Sequence, residues 1–354
     1  MKFLVVSDRE YKKTSRGMDI ITEYLADKNH SVDHLAFFVR KHFQEKQISK
    51  NICQLYSYDP FKLYYAKTQF LFPGLIIRLY FRYIMKKHTP VDFSKYDLVI
   101  LESGRPSFLA LEINNKIIYR QSDPVSISFN SNRRFYKKME ENAIKKSLFV
   151  ISALEKQHFH PEYTEKFIYW HSGFIPFERT NIPDTKKSFV VLGGDLDWKL
   201  LNKIAKKYPE YQFHIIGIRV LGHLRENIIV NGYLNYEKYR GLLSSALGVI
   251  IPFSNFYVRQ LSQVYFTAKI LVAMHLGLPV LLRAYGTIQN TDPDKKLFIY
   301  NTRKEALNLM EEIINKINNH EITHDVSISA KEFLNPQISE NRIKELDNIF
   351  QKYF

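Results

Sequence analysis

Cysteine is nearly absent from this sequence of 354 residues, which contains only Cys53. One thiol cannot form an intrachain disulfide, so the class of disulfide-stapled secreted domains is excluded and a reducing compartment is expected. Long apolar runs are also missing, because no stretch offers the about 18 uncharged apolar residues that a membrane-spanning helix requires. The first ten residues, MKFLVVSDRE, hold too short an apolar run for a secretory signal. These absences predict a cytoplasmic protein.

Metal-binding patterns are absent as well. The twelve histidines show no paired spacing of the kind that zinc sites use. Asp195 and Asp197 form a D-x-D pair of the kind that can bind a metal. They follow the end of a predicted strand, however, and Asp195 is placed to cap the helix that begins near Trp198. We therefore expect no metal and no other cofactor.

The charge of the chain is strongly positive, with 51 Lys and Arg against 36 Asp and Glu and a formal net charge of +15. Such an excess favours anionic partners: nucleic acid, an anionic bilayer or phosphorylated small molecules. No nucleic-acid-binding motif accompanies the charge, so we expect no nucleic-acid partner. The length predicts about two domains. The 23 Tyr and 26 Phe suit surfaces that contact sugars or membrane interfaces.

Residues 265–282, YFTAKILVAMHLGLPVLL, carry the most informative pattern. Helical spacing runs over 268–275, Gly277 can adopt the left-handed conformation that ends a helix, and Pro279 cannot continue one. An apolar run at 280–282 then predicts a buried strand. A lysine in the first turn, Lys269, opposes the positive end of the helix dipole, which makes sense if a diphosphate docks there. The alternative is a solvated lysine on an ordinary helix.

This segment resembles the donor-site helix of GT-B glycosyltransferases, which reads approximately K-x-x-E-Y-x-A-x-G-x-P-V-V. Lys269, Gly277, Pro279 and Val280 match, whereas the acidic residue that usually holds the donor ribose falls on Val272. Within this superfamily the chain is most similar to the xanthan-type β-glucuronosyltransferases (GumK-like) of bacterial polysaccharide biosynthesis, in which a glutamine replaces that acid.

The resemblance implies an α/β protein of the GT-B class, with two Rossmann-like doubly wound domains facing a cleft. It implies an N-terminal acceptor-binding domain over 1–178, a linker over 179–187, a nucleotide-sugar-binding domain over 188–334 and a helix over 335–354 that crosses back to the first domain. The pattern of short apolar runs followed by helices supports doubly wound domains on its own. It predicts strands near 3–6, 96–101, 116–120, 148–152, 166–170, 189–192, 213–217, 228–230 and 248–252.

On the donor side, the resemblance implies that Lys269 neutralises the diphosphate leaving group without a bound metal. Two glycines would permit close approach of the UDP-sugar, two hydroxyls would assist, and one aromatic ring would pack either on the nucleotide base or in the core. These candidates are Gly193, Gly194, Ser262, Thr267 and Phe253.

On the acceptor side, polar residues follow two predicted strands, where ligands of open parallel sheets bind. An inverting transfer needs a carboxylate that takes the proton of the acceptor hydroxyl. The resemblance places such an aspartate in the first domain, and Asp123 is the candidate base with Glu102 in reserve. The alternative for Asp123 is a turn former before Pro124. Further acceptor-side candidates are Arg16, Gly17, Arg120 and His171. The alternative for Gly17 is a plain loop glycine, and the alternative for His171 is a structural histidine.

A helix predicted over 75–87 combines cations with large apolar side chains. Arg78, Arg82 and Lys86 recur every fourth residue and form one stripe beside aliphatic and aromatic residues. This arrangement favours the headgroup boundary of an anionic bilayer, and the alternative is a core helix with a solvated basic edge.

Together these patterns favour an inverting, UDP-sugar-dependent glycosyltransferase at the inner face of the cell membrane. It would move a sugar, glucuronic acid by the resemblance, to a lipid-linked or glycan acceptor in surface polysaccharide synthesis. The loss of the ribose-binding acid at Val272 keeps a second interpretation open: a non-catalytic GT-B-like subunit that binds a partner glycosyltransferase or a glycan.

Overall fold

The computed structural model describes residues 1–12, 16–39, 45–58, 74–89, 91–122, 133–154, 160–179, 187–193, 195–217, 224–255, 258, 267–285 and 292–353. The chain divides into two compact units. Unit 1 comprises Met1–Ser172 and Arg342–Phe354, and unit 2 comprises Gly173–Asn341. The sequence interpretation places these boundaries after residues 178 and 334, and most of its linker falls on 180–186, outside the described residues.

Unit 1 contains an eight-stranded sheet with the order β3-β4-β2-β1-β5-β6-β7-β8. Neighbouring strands are parallel except for the β3–β4 pair. The strands are β1 (Lys2–Ser7), β2 (Ser31–Val39), β3 (Lys46–Gln47), β4 (Ile52–Tyr58), β5 (Leu98–Glu102), β6 (Ile117–Gln121), β7 (Ser147–Ser152) and β8 (Phe167–Tyr169). The helices described between them are α1 (Gly17–Asp27), α2 (Gly74–His88) and α3 (Arg133–Lys146), with 3₁₀ segments at Phe93–Lys95, Arg105–Leu111 and Pro161–Lys166.

The central strands form because their apolar runs are buried on both faces of the sheet, as parallel strands require. Leu4, Val5 and Val6 of β1 are fully buried. The sequence interpretation misses β2, whose SVDHLAFFV run is interrupted by Asp33 and His34. The His34 side chain is nevertheless fully buried because hydrogen-bond partners satisfy its ring.

Unit 2 contains a six-stranded sheet with the order β11-β10-β9-β12-β13-β14, and every neighbouring pair is parallel. The strands are β9 (Ser188–Leu192), β10 (Gln212–Ile216), β11 (Ile228–Gly232), β12 (Gly248–Ile251), β13 (Val280–Arg283) and β14 (Leu297–Tyr300). The described helices are α4 (Trp198–Lys207), α5 (Tyr236–Ser245), α6 (Ala268–His275), α7 (Arg303–Asn318) and α8 (Ile328–Leu334), with a 3₁₀ segment at Asn335–Gln337.

The last helix, α9 (Ser339–Gln351), contributes most of its length to unit 1. Leu346 and Phe350 lie in an apolar core of that unit, together with residues of β1 and α1. The Tyr24 hydroxyl donates a 2.8 Å hydrogen bond to Asp347, and the indole N–H of Trp170 donates a 2.9 Å bond to the Arg342 carbonyl. Apolar packing and buried polar contacts thus hold this C-terminal segment against the first sheet.

Each sheet has one point where the strand order reverses. In unit 1, β1 lies between β2 and β5, and in unit 2, β9 lies between β10 and β12. Open α/β sheets bind ligands beyond the carboxyl ends of the strands at this switch point. The residues that follow β1 and β5 in unit 1, and β9 and β12 in unit 2, are therefore the first places to look for a site. We call these two places the unit 1 edge and the unit 2 edge.

Candidate functional site

The N-terminus of α6 faces the unit 2 edge, because the helix runs back from the end of β12 to the start of β13. Thr267 occupies the N-cap position, yet its side chain makes no capping hydrogen bond, and its Oγ1 is shielded from solvent with no hydrogen-bond partner among the described residues. Lys269 lies in the first turn and is half-buried, and the first turn holds no acidic residue. The backbone N–H groups of the first turn, a hydroxyl and an ammonium at one helix end suit an anion.

The other end of α6 is fixed by the backbone. Gly277 has φ +65°, the left-handed conformation predicted for it. The Leu278 N–H donates to the Ala273 carbonyl at 3.0 Å, and the Gly277 N–H donates to the Met274 carbonyl at 3.0 Å. A Cβ at position 277 would lie 2.1 Å from the carbonyl oxygen of His324. The prediction that Gly277 ends this helix is confirmed, and packing as well as conformation demands glycine there.

Gly193 and Phe253 are placed by packing within unit 2. A Cβ at Gly193 would lie 2.3 Å from Cδ2 of Leu196, so a protein side chain fills the space that the sequence interpretation reserves for a ligand. Phe253 is fully buried, and its ring centroid lies 5.8 Å from that of Tyr285. The structure therefore supports core packing for Phe253 rather than stacking on a nucleotide base. The Val272 side chain, at the position of the usual ribose-binding acid, is also buried.

Both aspartates of the D-x-D pair accept hydrogen bonds from other residues of unit 2. The prediction that Asp195 caps α4 is wrong: Asp197 is the N-cap and accepts from the Leu200 N–H at 3.1 Å. Asp195 instead accepts a hydrogen bond from the Ser254 hydroxyl. The sequence interpretation places the cap two residues too early, because both residues are aspartate and the helix begins directly after the second. Within the described ranges, no three His, Cys, Asp or Glu side chains are grouped as a metal site would need.

Two arginines that the sequence interpretation misses complete the unit 2 edge. Nε of Arg303 lies 2.7 Å from Oδ2 of Asp197, and Nη1 of Arg283 lies 3.8 Å from the same oxygen. Arg283 is the last residue of β13, and Arg303 begins α7 just after β14. Two guanidinium groups share one carboxylate, so the cluster keeps a net positive charge. A charged residue at the end of a buried strand, or a few residues beyond it, is the signal that could have identified both.

At the unit 1 edge, Glu102 links the ends of two neighbouring strands. Oε2 of Glu102 accepts from the Ser7 hydroxyl at 2.6 Å and from the Asp8 N–H at 3.4 Å. Ser103 in turn hydrogen-bonds Ser122 between hydroxyls at 2.8 Å, which links β5 to β6. Ser122 is the residue before the predicted base Asp123. The carboxyl ends of β1, β5 and β6 are thus joined by side-chain hydrogen bonds.

Three of the predicted residues fall outside the described ranges: Asp123, Gly194 and Ser262. Their roles as base and as donor contacts stay predictions.

Asp8, a residue that the sequence interpretation misses, directly follows the first strand. Its Oδ1 lies 3.9 Å from Nε of Arg105, and burial raises the pKa of this carboxyl from 3.8 to about 6 against the lowering effect of Arg105.

The other acceptor-side candidates make protein contacts. Arg16 forms an ion pair with the buried Asp19, with Nε 2.8 Å from Oδ2, and also donates to the Glu10 carbonyl at 2.6 Å. Arg120 is buried and packs against Gly17, where a Cβ would lie 2.2 Å from Nη2 of Arg120. These contacts give Arg16 and Arg120 a structural role in unit 1, and the acceptor-side role of both residues stays a prediction.

His171 lies within hydrogen-bond distance of the Arg342 guanidinium through its Nε2. Arginine can only donate, so Nε2 accepts and the proton of the neutral ring sits on Nδ1. The histidine therefore ties β8 to the C-terminal helix. Its contact with an acceptor stays a prediction.

Helix α2 presents an apolar surface to solvent. Ile77, Phe81 and Ile84 form its buried face, whereas four large apolar residues on the other face are exposed by 68%, 46%, 55% and 43%: Leu75, Ile76, Leu79 and Tyr83. We call these four residues the α2 apolar face. Lys86 and Lys87 are exposed at the C-terminal end of the helix.

Two of the three cations in the predicted stripe on α2 form ion pairs with one carboxylate. Nε of Arg82 donates to both oxygens of Glu112, at 2.9 and 3.0 Å, and Nη2 of Arg78 lies 3.9 Å from Oε1 of the same carboxylate. None of the helices in the described part of the chain is both long and apolar enough to cross a bilayer.

Comparison with known proteins identifies the fold. Neither a protein-family model nor a curated protein sequence matches the chain. Solved structures match it over nearly its whole length. HepE of Anabaena in complex with UDP-glucose is 11% identical, with a TM-score of 0.65 over 99% of this chain and 100% of that one. A trehalose-6-phosphate protein of E. coli bound to UDP-2-fluoro glucose is 10% identical, with a TM-score of 0.65 over all of both chains.

A third similar structure is WaaG, a glycosyltransferase involved in lipopolysaccharide biosynthesis, which is 13% identical with a TM-score of 0.62 over 99% of both chains. Identities this low establish the fold alone. The expectation of an α/β protein with two doubly wound sheets is confirmed, and the chain has the GT-B fold, two Rossmann-like domains each built on a mainly parallel sheet.

Proposed function

We propose that the protein is a glycosyltransferase that takes its sugar from a UDP-sugar. The observation that carries the proposal is the N-terminus of α6 in unit 2, where Lys269 and the uncapped hydroxyl of Thr267 meet the positive end of a helix at the ligand edge of a GT-B domain. The arginines beside Asp197 add positive charge at the same edge of the sheet. HepE, which has the same fold, is a protein that binds UDP-glucose.

In this function Lys269 and the first N–H groups of α6 hold the diphosphate and stabilise the charge that develops on it as the glycosidic bond breaks. The ribose is held without a carboxylate on α6, because Val272 is apolar and buried. The resemblance of the sequence extends the proposal to a hexuronic acid such as glucuronic acid as the donor sugar. It also extends it to a lipid-linked oligosaccharide or glycan acceptor in bacterial surface polysaccharide synthesis.

Calorimetric titration with UDP, followed by a hydrolysis screen of UDP-glucose, UDP-glucuronic acid and UDP-N-acetylglucosamine, tests the proposal. We expect UDP binding and slow release of UDP from one of these donors. No binding at millimolar UDP and no turnover of any donor would contradict it and favour the alternative, a non-catalytic GT-B-like subunit. Screening the donors against one another also decides the sugar.

We further propose that the α2 apolar face docks on an anionic membrane surface. Four large apolar side chains in water are costly at about 25 cal/mol per Å², and an interfacial helix buries such side chains at the headgroup boundary. Lys86 and Lys87 lie at one end of this face, and the chain as a whole carries +15. Charge complementarity therefore favours anionic lipid, and the apolar face rather than the arginines supplies the contact.

Vesicle co-sedimentation tests the docking. The double variant Leu75→Ser and Leu79→Ser should lose most binding to phosphatidylcholine vesicles that contain phosphatidylglycerol. Ile328→Ser in unit 2 is the matched control, because Ile328 is an aliphatic residue that is 75% exposed and lies outside α2. Equal loss in the control, or equal binding of the parent to vesicles with and without phosphatidylglycerol, would contradict the proposal.

A further inference from the structure

The unit 1 edge holds two carboxylates at the end of neighbouring strands. Asp8 follows β1 and Glu102 ends β5, and Val6 of β1 pairs with Leu101 of β5 in the sheet register. The switch point of the sheet falls between these two strands. Ligands of doubly wound sheets bind at this position, so both carboxylates lie where an acceptor of unit 1 would bind.

The two carboxylates differ in what they contact. Glu102 accepts from the Ser7 hydroxyl and from the Asp8 N–H through one oxygen, so it fixes the backbone that follows β1. Oδ1 of Asp8 accepts no hydrogen bond within the described residues and is shielded from solvent, while the side chain as a whole remains 32% exposed. Glu102 therefore holds the loop, and Asp8 presents a carboxylate that a bound molecule can reach.

The surroundings of Asp8 are built closely around it. Gly104 has φ +100°, a conformation that favours glycine, and a Cβ there would lie 3.3 Å from Oδ2 of Asp8. The charged groups that face Asp8 are Arg105 on the segment after β5, Glu102 on β5 and Arg9 on its own loop. The nearest cation, Nε of Arg105, lies 3.9 Å from Oδ1, beyond hydrogen-bond distance.

Buried polar side chains hold the loop that carries Asp8. Nε2 of His34 lies 3.2 Å from the Arg9 carbonyl, and since a carbonyl only accepts, Nε2 carries the ring proton. The Tyr11 N–H donates to Oε1 of Gln54 at 2.7 Å. His34 and Gln54 are both fully buried. Rigid support of this kind is what a group that must be positioned for chemistry requires.

We propose that Asp8 is the general base of the transfer, the group that takes the proton of the acceptor hydroxyl, and that Glu102 is a positioning residue for it. This inference rests on the proposed function. The acceptor oxygen forms a bond to the anomeric carbon while the bond from that carbon to the diphosphate oxygen breaks. UDP leaves with the electron pair, and the hydroxyl proton passes to the Asp8 carboxylate.

The burial of Asp8 and the charges around it agree with this role. Burial, with help from the Glu102 charge, raises the pKa of Asp8 to about 6 in spite of Arg105 and Arg9. The carboxylate is then ionised at neutral pH and more basic than an exposed aspartate, as efficient base catalysis requires. Asp123, the base predicted from the sequence, is the competing residue.

The test compares Asp8→Asn, Asp123→Asn and Glu102→Gln, with UDP-glucose hydrolysis as the probe and water as the acceptor. Asp92→Asn is the control, because Asp92 is an exposed aspartate of unit 1 at the opposite end of β5. We expect Asp8→Asn to lower turnover by about 10²–10⁴-fold and to remove the acidic limb of the pH–rate profile, with UDP affinity in calorimetry unchanged. Glu102→Gln should shift that limb to lower pH, since it removes a charge that raises the Asp8 pKa.

Two readouts separate a catalytic from a structural role. A carbon NMR titration with labelled aspartate should show one carboxyl that titrates near pH 6 and disappears in Asp8→Asn. The same variant should be at least as stable as the parent at neutral pH, because it no longer buries a charge there. If Asp8 has only a structural role, Asp8→Asn should instead lower stability and leave the pH profile of the folded enzyme unchanged. That result would overturn the inference.

Other outcomes would also overturn it. Loss of turnover in Asp123→Asn or in Glu102→Gln with near-normal turnover in Asp8→Asn would assign the base elsewhere. Initial release of the α-anomer of glucose from UDP-α-glucose would show retention, in which no base acts in this way. These results leave the proposed function standing, whereas a parent protein that neither binds UDP nor releases it from UDP-sugars overturns that function and this inference together.

Discussion

The unit 1 edge and the unit 2 edge are held in place by different means. At the unit 1 edge, buried side chains hold the backbone of the loop after β1: His34 to Arg9, Gln54 to Tyr11 and Asp19 to Lys12. At the unit 2 edge, the backbone itself fixes α6, through the left-handed Gly277 and the carbonyl of His324 packed against it. Unit 1 presents carboxylates at its edge, and unit 2 presents cations and a helix N-terminus.

The difference matches what each edge would bind. An acceptor hydroxyl needs a proton acceptor, and a diphosphate needs positive charge. The difference between the two edges also predicts that different changes will destabilise them. A loop held by titratable buried groups should respond to pH, whereas a helix held by backbone geometry should respond to substitution of its glycine.

The largest effect is expected for Gly277→Ala. An alanine at 277 would have to adopt φ near +65°, and its Cβ would lie 2.1 Å from a backbone oxygen. The end of the helix must therefore shift, and we expect the unfolding free energy to fall by about 3–5 kcal/mol. Gly232→Ala is the matched control, since Gly232 has φ +64° with nothing within 4 Å of the added atom, and it should cost about 1–2 kcal/mol. Urea unfolding of both variants measures the difference. Equal costs would show that conformation alone, and not the His324 contact, demands glycine at 277.

Lys269→Ala should weaken UDP binding by about 1.5–3 kcal/mol, the value of a charge-assisted hydrogen bond. The reason is that the ammonium adds to the positive end of α6. Calorimetry with UDP measures the effect, and Lys203→Ala, an exposed lysine of α4, serves as the control. A Lys269 variant with parental UDP affinity would move the diphosphate away from α6.

The pH sensitivity of unit 1 is expected to come largely from His34. Burial lowers its pKa from 6.5 to about 3, so between these values the unfolded chain binds a proton that the folded chain does not. Stability is therefore full above pH about 6.5 and falls as the pH drops, by at most about 1.4 kcal/mol per pH unit from this group.

His34→Gln retains an N–H donor for the Arg9 carbonyl and removes the titration. Urea unfolding from neutral to acidic pH should therefore show a smaller loss of stability in the variant than in the parent. The raised pKa of Asp8 has the opposite effect, because between about pH 3.8 and 6 the folded chain binds a proton that the unfolded chain does not. Asp8→Asn should therefore make the loss of stability with falling pH steeper than in the parent. An unchanged slope in His34→Gln would place the pH sensitivity elsewhere.

The smallest effect is expected for Glu112→Gln. The variant removes the carboxylate that pairs with Arg82 and Arg78, and exposed pairs of this kind are worth about 0.2–1 kcal/mol. Released from Glu112, the two arginines should strengthen binding to vesicles with phosphatidylglycerol, and added salt should cancel the gain. Binding that does not change would show that the α2 apolar face acts without these cations.

Local patterns were sufficient for much of the fold. Apolar runs such as residues 3–6 and 248–252 predict strands, and the structure has β1 and β12 there, because a strand buried on both faces must be apolar throughout. Residues 268–275 predict a helix with the bounds that α6 has, since Gly277 and Pro279 end it by their own conformational limits. The strand at 31–39 escaped prediction because Asp33 and His34 interrupt its apolar pattern, and their partners are distant in sequence.

The sequence alone therefore determined the α/β class, the alternation of short apolar strands with helices and the position of Lys269 in a first helical turn, all of which depend on neighbours within a few residues. Only the tertiary structure decided which polar residues pair with other residues of the protein. It assigned Arg16 to Asp19, Arg82 to Glu112 and Asp197 to the α4 cap. It also brought Asp8 beside Glu102, because hydrogen bonds between strands join residues that are 94 positions apart in the chain.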